Sequence, residues 1–95
     1  MENNQEGRLR LVDWFISDGL AWGTVYGHYR IRDGHYIHTS EIEAVLPYGG
    51  GDYMIKTLNS KYFVKMSEAK LEKFTEDGKD YILGFEKYES IYTKK

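Results

Sequence analysis

The sequence predicts a small domain of the α+β class that is mainly β: a bent antiparallel sheet or a partly open barrel, with a short helix near the C-terminus. The chain has 95 residues, and one core usually serves about 100 to 150 residues. Turn signals are dense, and the stretches between them alternate apolar with polar residues, as half-buried strands do. We therefore expect one domain over residues 8–95, preceded by a disordered polar tail over residues 1–7.

Glycine marks most of the predicted turns. Asp-Gly accepts the positive φ of tight hairpins at little cost, and it occurs at residues 18–19, 33–34 and 77–78. Gly49 to Gly51 and the Asn59-Ser60 pair are further turn signals. The strands predicted between the turns are residues 8–16, 20–27, 28–32, 35–39, 41–46, 52–58 and 61–66. By strand number and length, SH3-like and OB-like barrels are the nearest architectures.

The first two predicted strands carry large aromatic side chains. These are Trp14, Phe15, Trp22 and Tyr26. In a chain this short the core is modest, so large rings are expected to fill it, and we place these four at its heart. The alternative is a stacking platform for a base or a sugar.

The segment from His28 to Ser40 holds all three histidines and two of the four arginines. A turn at residues 33–34 would pair Arg32 with His35 and divide the side chains between two faces. The basic face would carry Arg30, Arg32, His35 and His28, and the aromatic face Tyr29 and Tyr36 with Ile31 and His38. The basic face could receive a phosphate or a partner's carboxylates. The alternative is a solvated surface with charges paired to Glu41 and Glu43.

Residues 41–46 permit two interpretations. Ser40 with Glu43 matches a helix capping box, and the apolar residues that follow have helical spacing. Pro47 and the short length of the segment favour a strand.

Residues 52–66 predict a hairpin around Asn59-Ser60 that pairs Thr57 with Tyr62. Alternation then places six side chains on one face, which we assign to the core. They are Tyr53, Ile55, Thr57, Tyr62, Val64 and Met66.

The period changes after Met66. Ser67 suits a helix N-cap, and Gly78 suits the end of the same helix, so residues 67–77 are predicted to be helical. Leu71 and Phe74 would dock this helix on the sheet, leaving its charged residues in water.

Residues 79–95 fit either a strand or a helix. Tyr81, Leu83 and Phe85 alternate as in a strand, whereas Tyr81, Phe85, Tyr88 and Tyr92 follow a helical stripe. Gly84 favours a division into a strand followed by a short helix.

Composition limits the classes of function. The sequence contains no cysteine and has a net charge of −2. We therefore expect no disulfide framework and no generic attraction to nucleic acids or acidic membranes. No apolar run approaches the roughly 18 residues needed to span a bilayer, so we expect a cytoplasmic protein without membrane contact.

No catalytic or metal-binding constellation stands out in the sequence. His35 and His38 resemble a metal-ligand pair, but residues three apart on a strand point to opposite sides of the sheet. Gly49 to Gly51 lacks the Lys-Ser/Thr pair of a phosphate loop, and no serine lies in a nucleophile elbow. We therefore expect no enzymatic activity, no cofactor and no metal.

These observations predict a small non-enzymatic regulator or inhibitor that binds another protein through a Tyr- and Arg-rich hairpin surface, since both residue types are enriched in interface hot spots. The predicted surface comprises Arg30, Arg32, His35, His28, Tyr29 and Tyr36. The alternative is a module that binds a nucleotide or single-stranded nucleic acid. Exposed strand edges would also allow a homodimer.

Overall fold

The computed structural model of the protein describes residues 8–92, so the tail predicted for residues 1–7 lies outside the described residues. Its strands are β1 (Arg10–Ser17), β2 (Leu20–Tyr26), β3 (His35–His38), β4 (Ile42–Gly49), β5 (Asp52–Thr57) and β6 (Lys61–Lys65). Two 3₁₀ turns, Met66–Glu68 and Leu71–Lys73, and two short helices, α1 (Glu76–Lys79) and α2 (Phe85–Tyr92), follow. The prediction of a mainly β domain with a short helix near the C-terminus is confirmed.

The described strands form one open sheet in the order β3-β2-β1-β6-β5-β4. Two antiparallel meanders, β1-β2-β3 and β4-β5-β6, meet where β1 runs parallel to β6, with Arg10 opposite Phe63. The sheet is therefore mixed: the described pairs are antiparallel, as predicted, except for β1 with β6. The first strand of one meander, β1, and the last strand of the other, β6, lie side by side and run in the same direction.

The sheet must curl, because its two edge strands are joined by a very short link. Residues 39–41 alone connect β3 to β4. Four residue steps reach about 14 Å, whereas the edges of a flat six-stranded sheet lie about 24 Å apart. Consistently, Thr39 N–H donates to Ala21 O (2.8 Å) and Ile42 N–H donates to Gly19 O (3.0 Å), so the link passes across the end of the β1-β2 hairpin.

A bulge in β1 sets which side chains form the core. Asp13 has a φ of 53°, and the pairing with β2 shifts between Val12 and Phe15. The extra residue allows Leu11, Trp14 and Ile16 all to be fully buried, although strict alternation would place Leu11 and Ile16 on opposite faces. The Trp14 indole N–H donates to Lys65 O (2.8 Å), which ties β1 to the end of β6.

The core face predicted for the β5-β6 hairpin is confirmed. All six side chains assigned to it are buried. The pairing differs, because Ile55 rather than Thr57 lies opposite Tyr62 and the turn centres on Leu58 and Asn59. The Thr57 hydroxyl accepts the N–H groups of Asn59 (3.3 Å) and Ser60 (3.1 Å) and so fixes the turn one residue earlier. Each residue of β5 is therefore paired two positions away from its predicted partner in β6, and a shift of two positions leaves every side chain on its predicted face.

The helix predicted for residues 67–77 is wrong. Lys70 N–H donates to Trp14 O (2.7 Å), and Thr75 N–H donates to Ile16 O (3.2 Å), so β1 takes bonds that a helix would have used internally. Leu71 and Phe74 are nevertheless buried, as predicted. The N-cap residue is Thr75, the cap of α1, not Ser67. Gly78 lies inside α1, where a Cβ would overlap the carbonyl of Ile16.

The division of residues 79–95 is half right. α2 is present and follows Gly84, which has a φ of 70°. The predicted strand before it is absent from the described residues, because Tyr81 and Ile82 donate to the carbonyls of Gly78 and Lys79 in successive turns. The strand predicted for residues 41–46 is confirmed as β4.

Candidate binding surface

The face of the sheet opposite the core carries a row of aromatic rings, Phe15, Trp22, Tyr36 and His38, which we call the ring row. Phe15 and Trp22 are parallel within 2°, with centroids 6.1 Å apart. The Trp22 ring lies 4.9 Å from His38 and 6.4 Å from Tyr36. The row thus crosses β1, β2 and β3. Its members are half-buried or exposed, and Tyr36 is 59% exposed.

Strand register explains why these rings face outward. In β2 the small residues Ala21, Gly23 and Val25 point to the core, so Trp22 and Tyr26 point away from it. At Gly23 a Cβ would lie 3.0 Å from Val12 O and 3.1 Å from Trp14 Cβ, so the inner side has no room for a larger residue. The placement of all four early aromatic residues in the core is therefore wrong. Trp14 alone is buried, and Phe15, Trp22 and Tyr26 are half-buried.

Cationic side chains lie over several outward-facing rings. Lys73 Nζ is 5.5 Å from the centroid of Phe15, and Arg10 Cζ is 5.2 Å from that of Tyr26. Arg8 Cζ lies 4.3 Å from Phe63, on the half of the sheet next to the ring row. These distances fall within the range of cation–π attraction. The outer face is therefore both aromatic and cationic.

The strand predicted for residues 28–32 is absent, and so is its pairing around residues 33–34. β3 pairs instead with β2, with Val25 opposite His35. Residues 27–34 form a loop closed by two bonds: Gly27 N–H donates to Asp33 Oδ1 (2.9 Å), and Gly34 N–H donates to Val25 O (2.8 Å). The Asp33 side chain thus closes a wide loop in place of a two-residue turn.

His28 organises the first half of this loop. Its Nδ1 accepts the N–H groups of Arg30 (2.9 Å) and Ile31 (3.1 Å), and its ring stacks on Tyr29 at 5.2 Å. Because Nδ1 is an acceptor in both bonds, the ring proton of the neutral imidazole is on Nε2. Tyr29 is 88% exposed at the tip.

The loop and the start of β3 form a shallow basic depression. Arg30, Ile31, Arg32 and His35 line it. Of the six residues predicted for the binding surface, three therefore converge here: Arg30, Arg32 and His35. His28 and Tyr29 lie in the same loop as a stacked pair. Tyr36 alternates to the opposite face of β3 and joins the ring row.

The sequence prediction missed several residues of the outer face. They are Phe15, Trp22, His38, Arg8, Arg10 and Lys73. A usable signal existed in "LAWGTVY", where small residues alternate with large ones, because only the small ones fit beneath a bulged neighbouring strand. The cations over the rings have no signal in the sequence, since Lys73 and Phe15 are far apart in the chain.

Two buried phenols lie on the core side, away from both surfaces. Burial raises the pKa of Tyr53 to about 12, and the hydrogen bond to the Tyr88 hydroxyl (3.2 Å) and the charge interaction with Tyr88 contribute to the rise. Burial also raises the pKa of Tyr62. Both hydroxyls stay protonated at neutral pH.

Within residues 8–92 no three acidic or histidine side chains lie close enough together to hold a metal ion, and no helix there has the length and apolarity to cross a membrane. The histidines are divided between the loop, the depression and the ring row. No protein-family model, curated protein or solved structure matches the chain.

Proposed function

We propose that this protein is a small non-enzymatic regulator or inhibitor that acts in the cytoplasm by docking on an acidic surface of another protein. The observation that carries the proposal is the edge of the sheet at β3. One side of this strand presents the ring row, and the other presents the basic depression. A partner that grips this edge would contact both.

The chemistry of this edge suits a protein partner. Tyr, Trp and Arg dominate interface hot spots, since each buries a large area for little lost side-chain freedom or supplies several donors. Tyr29 and Tyr36 are 88% and 59% exposed, and the two arginines of the basic depression favour an acidic partner. SH3-like or OB-like barrel architecture, which we also propose, is supported by the short link between the edge strands and is common among small binding domains.

A photo-crosslinking amino acid at Tyr36, in an extract of the source cells, tests the proposal. We expect a discrete protein adduct that unlabelled wild-type protein displaces. The Tyr29→Ala, Tyr36→Ala variant should compete at least about thirtyfold less well, because each tyrosine is a candidate anchor of about 1 kcal/mol or more.

The matched control places the same crosslinker at Leu83, which is 87% exposed and belongs to the C-terminal segment. The same adducts at both positions, or full competition by the double variant, would contradict docking through β3.

Binding of single-stranded nucleic acid is a second candidate, favoured by the cations that lie over ring faces. Bases stack on aromatic side chains, and a nearby cation can contact the phosphate backbone. A thermal-shift screen with oligonucleotides at low salt tests it. Stabilisation should decrease as salt rises and should be smaller in Tyr36→Ala. An unchanged melting temperature at low salt would eliminate this candidate.

A further inference from the structure

The basic depression has an unusual balance of charge. Its lining is Arg30, Ile31, Arg32 and His35, without a carboxylate. A second depression, lined by the cations Arg8, Arg10 and Lys65, differs because Asp52 and Glu68 line it as well. The basic depression is therefore the more strongly cationic of the two.

The two arginines of the depression are not engaged by carboxylates. Within residues 8–92, Lys56 pairs with Glu43, and Lys79 pairs with Glu76 and Glu89, but neither Arg30 nor Arg32 has such a pair. Asp33 is the acidic residue of the loop, and its Oδ1 accepts the Gly27 N–H. The Arg30 guanidinium lies over the Tyr29 ring, with Cζ 5.8 Å from its centroid, which leaves the N–H groups of both arginines free to donate to a ligand.

The loop backbone is already ordered. The bonds from Gly27 to Asp33 and from Gly34 to Val25 close its base, and His28 Nδ1 holds Arg30 and Ile31 by their N–H groups. Ile31 is half-buried and packs against the core. Binding would order only the arginine side chains, so little entropy is lost with the backbone.

The donor set fits phosphate better than a single carboxylate. Arginine presents planar forks of N–H donors that match phosphate oxygens, and the imidazole of His35 adds a further donor. A phosphomonoester carries a charge of about −1.5 to −2 at neutral pH, which balances two guanidinium groups. A lone carboxylate balances only one.

The surroundings favour a phosphate carried by protein over one carried by a nucleotide. A nucleotide site usually adds an aromatic ring on which the base stacks. The lining of the depression has only the His35 imidazole, and the Tyr29 ring beside it, 5.8 Å from Arg30 Cζ, already stacks on His28. The longer row of stacking rings lies on the opposite face of β3, with Tyr36. The depression is also open, as suits a side chain presented by a partner.

We infer that Arg30, Arg32 and His35 form a receptor site for a phosphorylated side chain on a partner protein. The inference deepens the proposed function and rests on it for the identity of the carrier. Small phosphate compounds test the site itself, so phosphate binding can be confirmed or refuted independently of docking.

The experiment is a titration of ¹⁵N-labelled protein with inorganic phosphate, O-phosphoserine, adenosine monophosphate and acetate, at constant ionic strength. We expect saturable shifts at the amides of residues 30–35 with phosphate and phosphoserine, in the millimolar range. Acetate should bind about tenfold more weakly, since it forms fewer charge-assisted hydrogen bonds.

Two variants distinguish an arginine site from general attraction. Arg30→Gln, Arg32→Gln should lower the affinity at least about tenfold, and Arg30→Lys, Arg32→Lys should restore only part of it, because lysine lacks the planar fork. The control Lys61→Gln, Lys70→Gln removes the same charge from two exposed positions and should leave the affinity within about twofold.

Each remaining outcome is decisive. Equal binding of acetate and phosphate, or equal losses in the arginine and lysine variants, overturns the phosphate site. Tighter binding of adenosine monophosphate than of phosphoserine overturns the protein carrier in favour of a nucleotide. Phosphoserine binding without a crosslinked partner at Tyr36 supports the site and refutes only the docking proposal.

Discussion

At the scale of single residues, the buried Tyr53 phenol makes stability depend on alkaline pH. Its pKa is raised to about 12, first by burial and then by its hydrogen bond and charge interaction with Tyr88. In the unfolded chain the pKa is about 10. The folded state therefore favours the protonated phenol, and this contribution is fully present below pH 10 and is lost as the pH rises toward 12.

We predict that the free energy of unfolding of the wild type falls between about pH 10 and pH 12 more steeply than that of Tyr53→Phe. Urea unfolding at several pH values measures the difference. Tyr62, whose pKa is also raised by burial, is present in both proteins, so its contribution cancels and the difference reports the Tyr53 phenol with its hydrogen bond to Tyr88. Parallel pH profiles of the two proteins would show that folding does not raise the pKa of Tyr53.

At the scale of elements, the bulge in β1 determines the two surfaces of the sheet. Asp13 has a φ of 53°, in the left-handed region that Asp and Asn tolerate better than other side chains and that β-branched residues tolerate poorly. Its side chain is exposed. Replacement therefore tests backbone conformation rather than packing.

Asp13→Val should destabilise the protein by about 1 to 2 kcal/mol, the usual cost of the left-handed conformation. Asp13→Asn, the matched control, should stay within about 0.5 kcal/mol of the wild type. Chemical denaturation measures both. Equal stability of the two variants would mean that β1 can pair without the bulge.

Elements could be predicted from the sequence where their hydrogen bonds are local or where alternation alone decides the face. The β5-β6 core face is correct despite a shifted turn, because a change of two positions in pairing preserves the faces. Residues 67–77 have good capping signals, yet the N–H groups of Lys70 and Thr75 bond to the carbonyls of Trp14 and Ile16. That competition depends on tertiary structure, which local spacing does not encode.

At the scale of the whole molecule, the link between β3 and β4 joins both edges of the curled sheet. Thr39, its first residue, is 3% exposed. Its hydroxyl accepts the Ala21 N–H (3.1 Å) and donates to Ser40 O (2.7 Å). The side chain thus helps hold the link against β2.

Thr39→Val keeps the shape of the side chain but leaves the buried Ala21 N–H without this acceptor, so we predict a loss of about 1 to 3 kcal/mol. Hydrogen exchange at the Ala21 amide should accelerate in parallel. The control Thr24→Val, on the outer face of β2, should change stability by less than about 0.5 kcal/mol. Equal effects of the two substitutions would rule out a special role for the link.

A candidate surface could be predicted from the sequence where its residues are close together in the chain, and could not where they come from different strands. Arg30, Arg32 and His35 converge although the predicted hairpin is wrong, because all three belong to one short segment of chain. The ring row depends on the register of three strands, and the bulge at Asp13 shifts the pairing of β1 with β2. Alternation in one strand could not reveal that Phe15 would stack on Trp22 rather than enter the core.

The two tryptophans lie on opposite sides of the sheet, and this gives the protein two separate optical signals. Trp14 is fully buried against Phe74, whereas Trp22 is half-buried in the ring row. Acrylamide in solution should quench the emission of Trp22 well before that of Trp14, and a Trp22→Phe protein supplies the spectrum of Trp14 alone. Without any label, the emission of Trp14 therefore reports unfolding, and that of Trp22 reports the binding of a partner to the outer face.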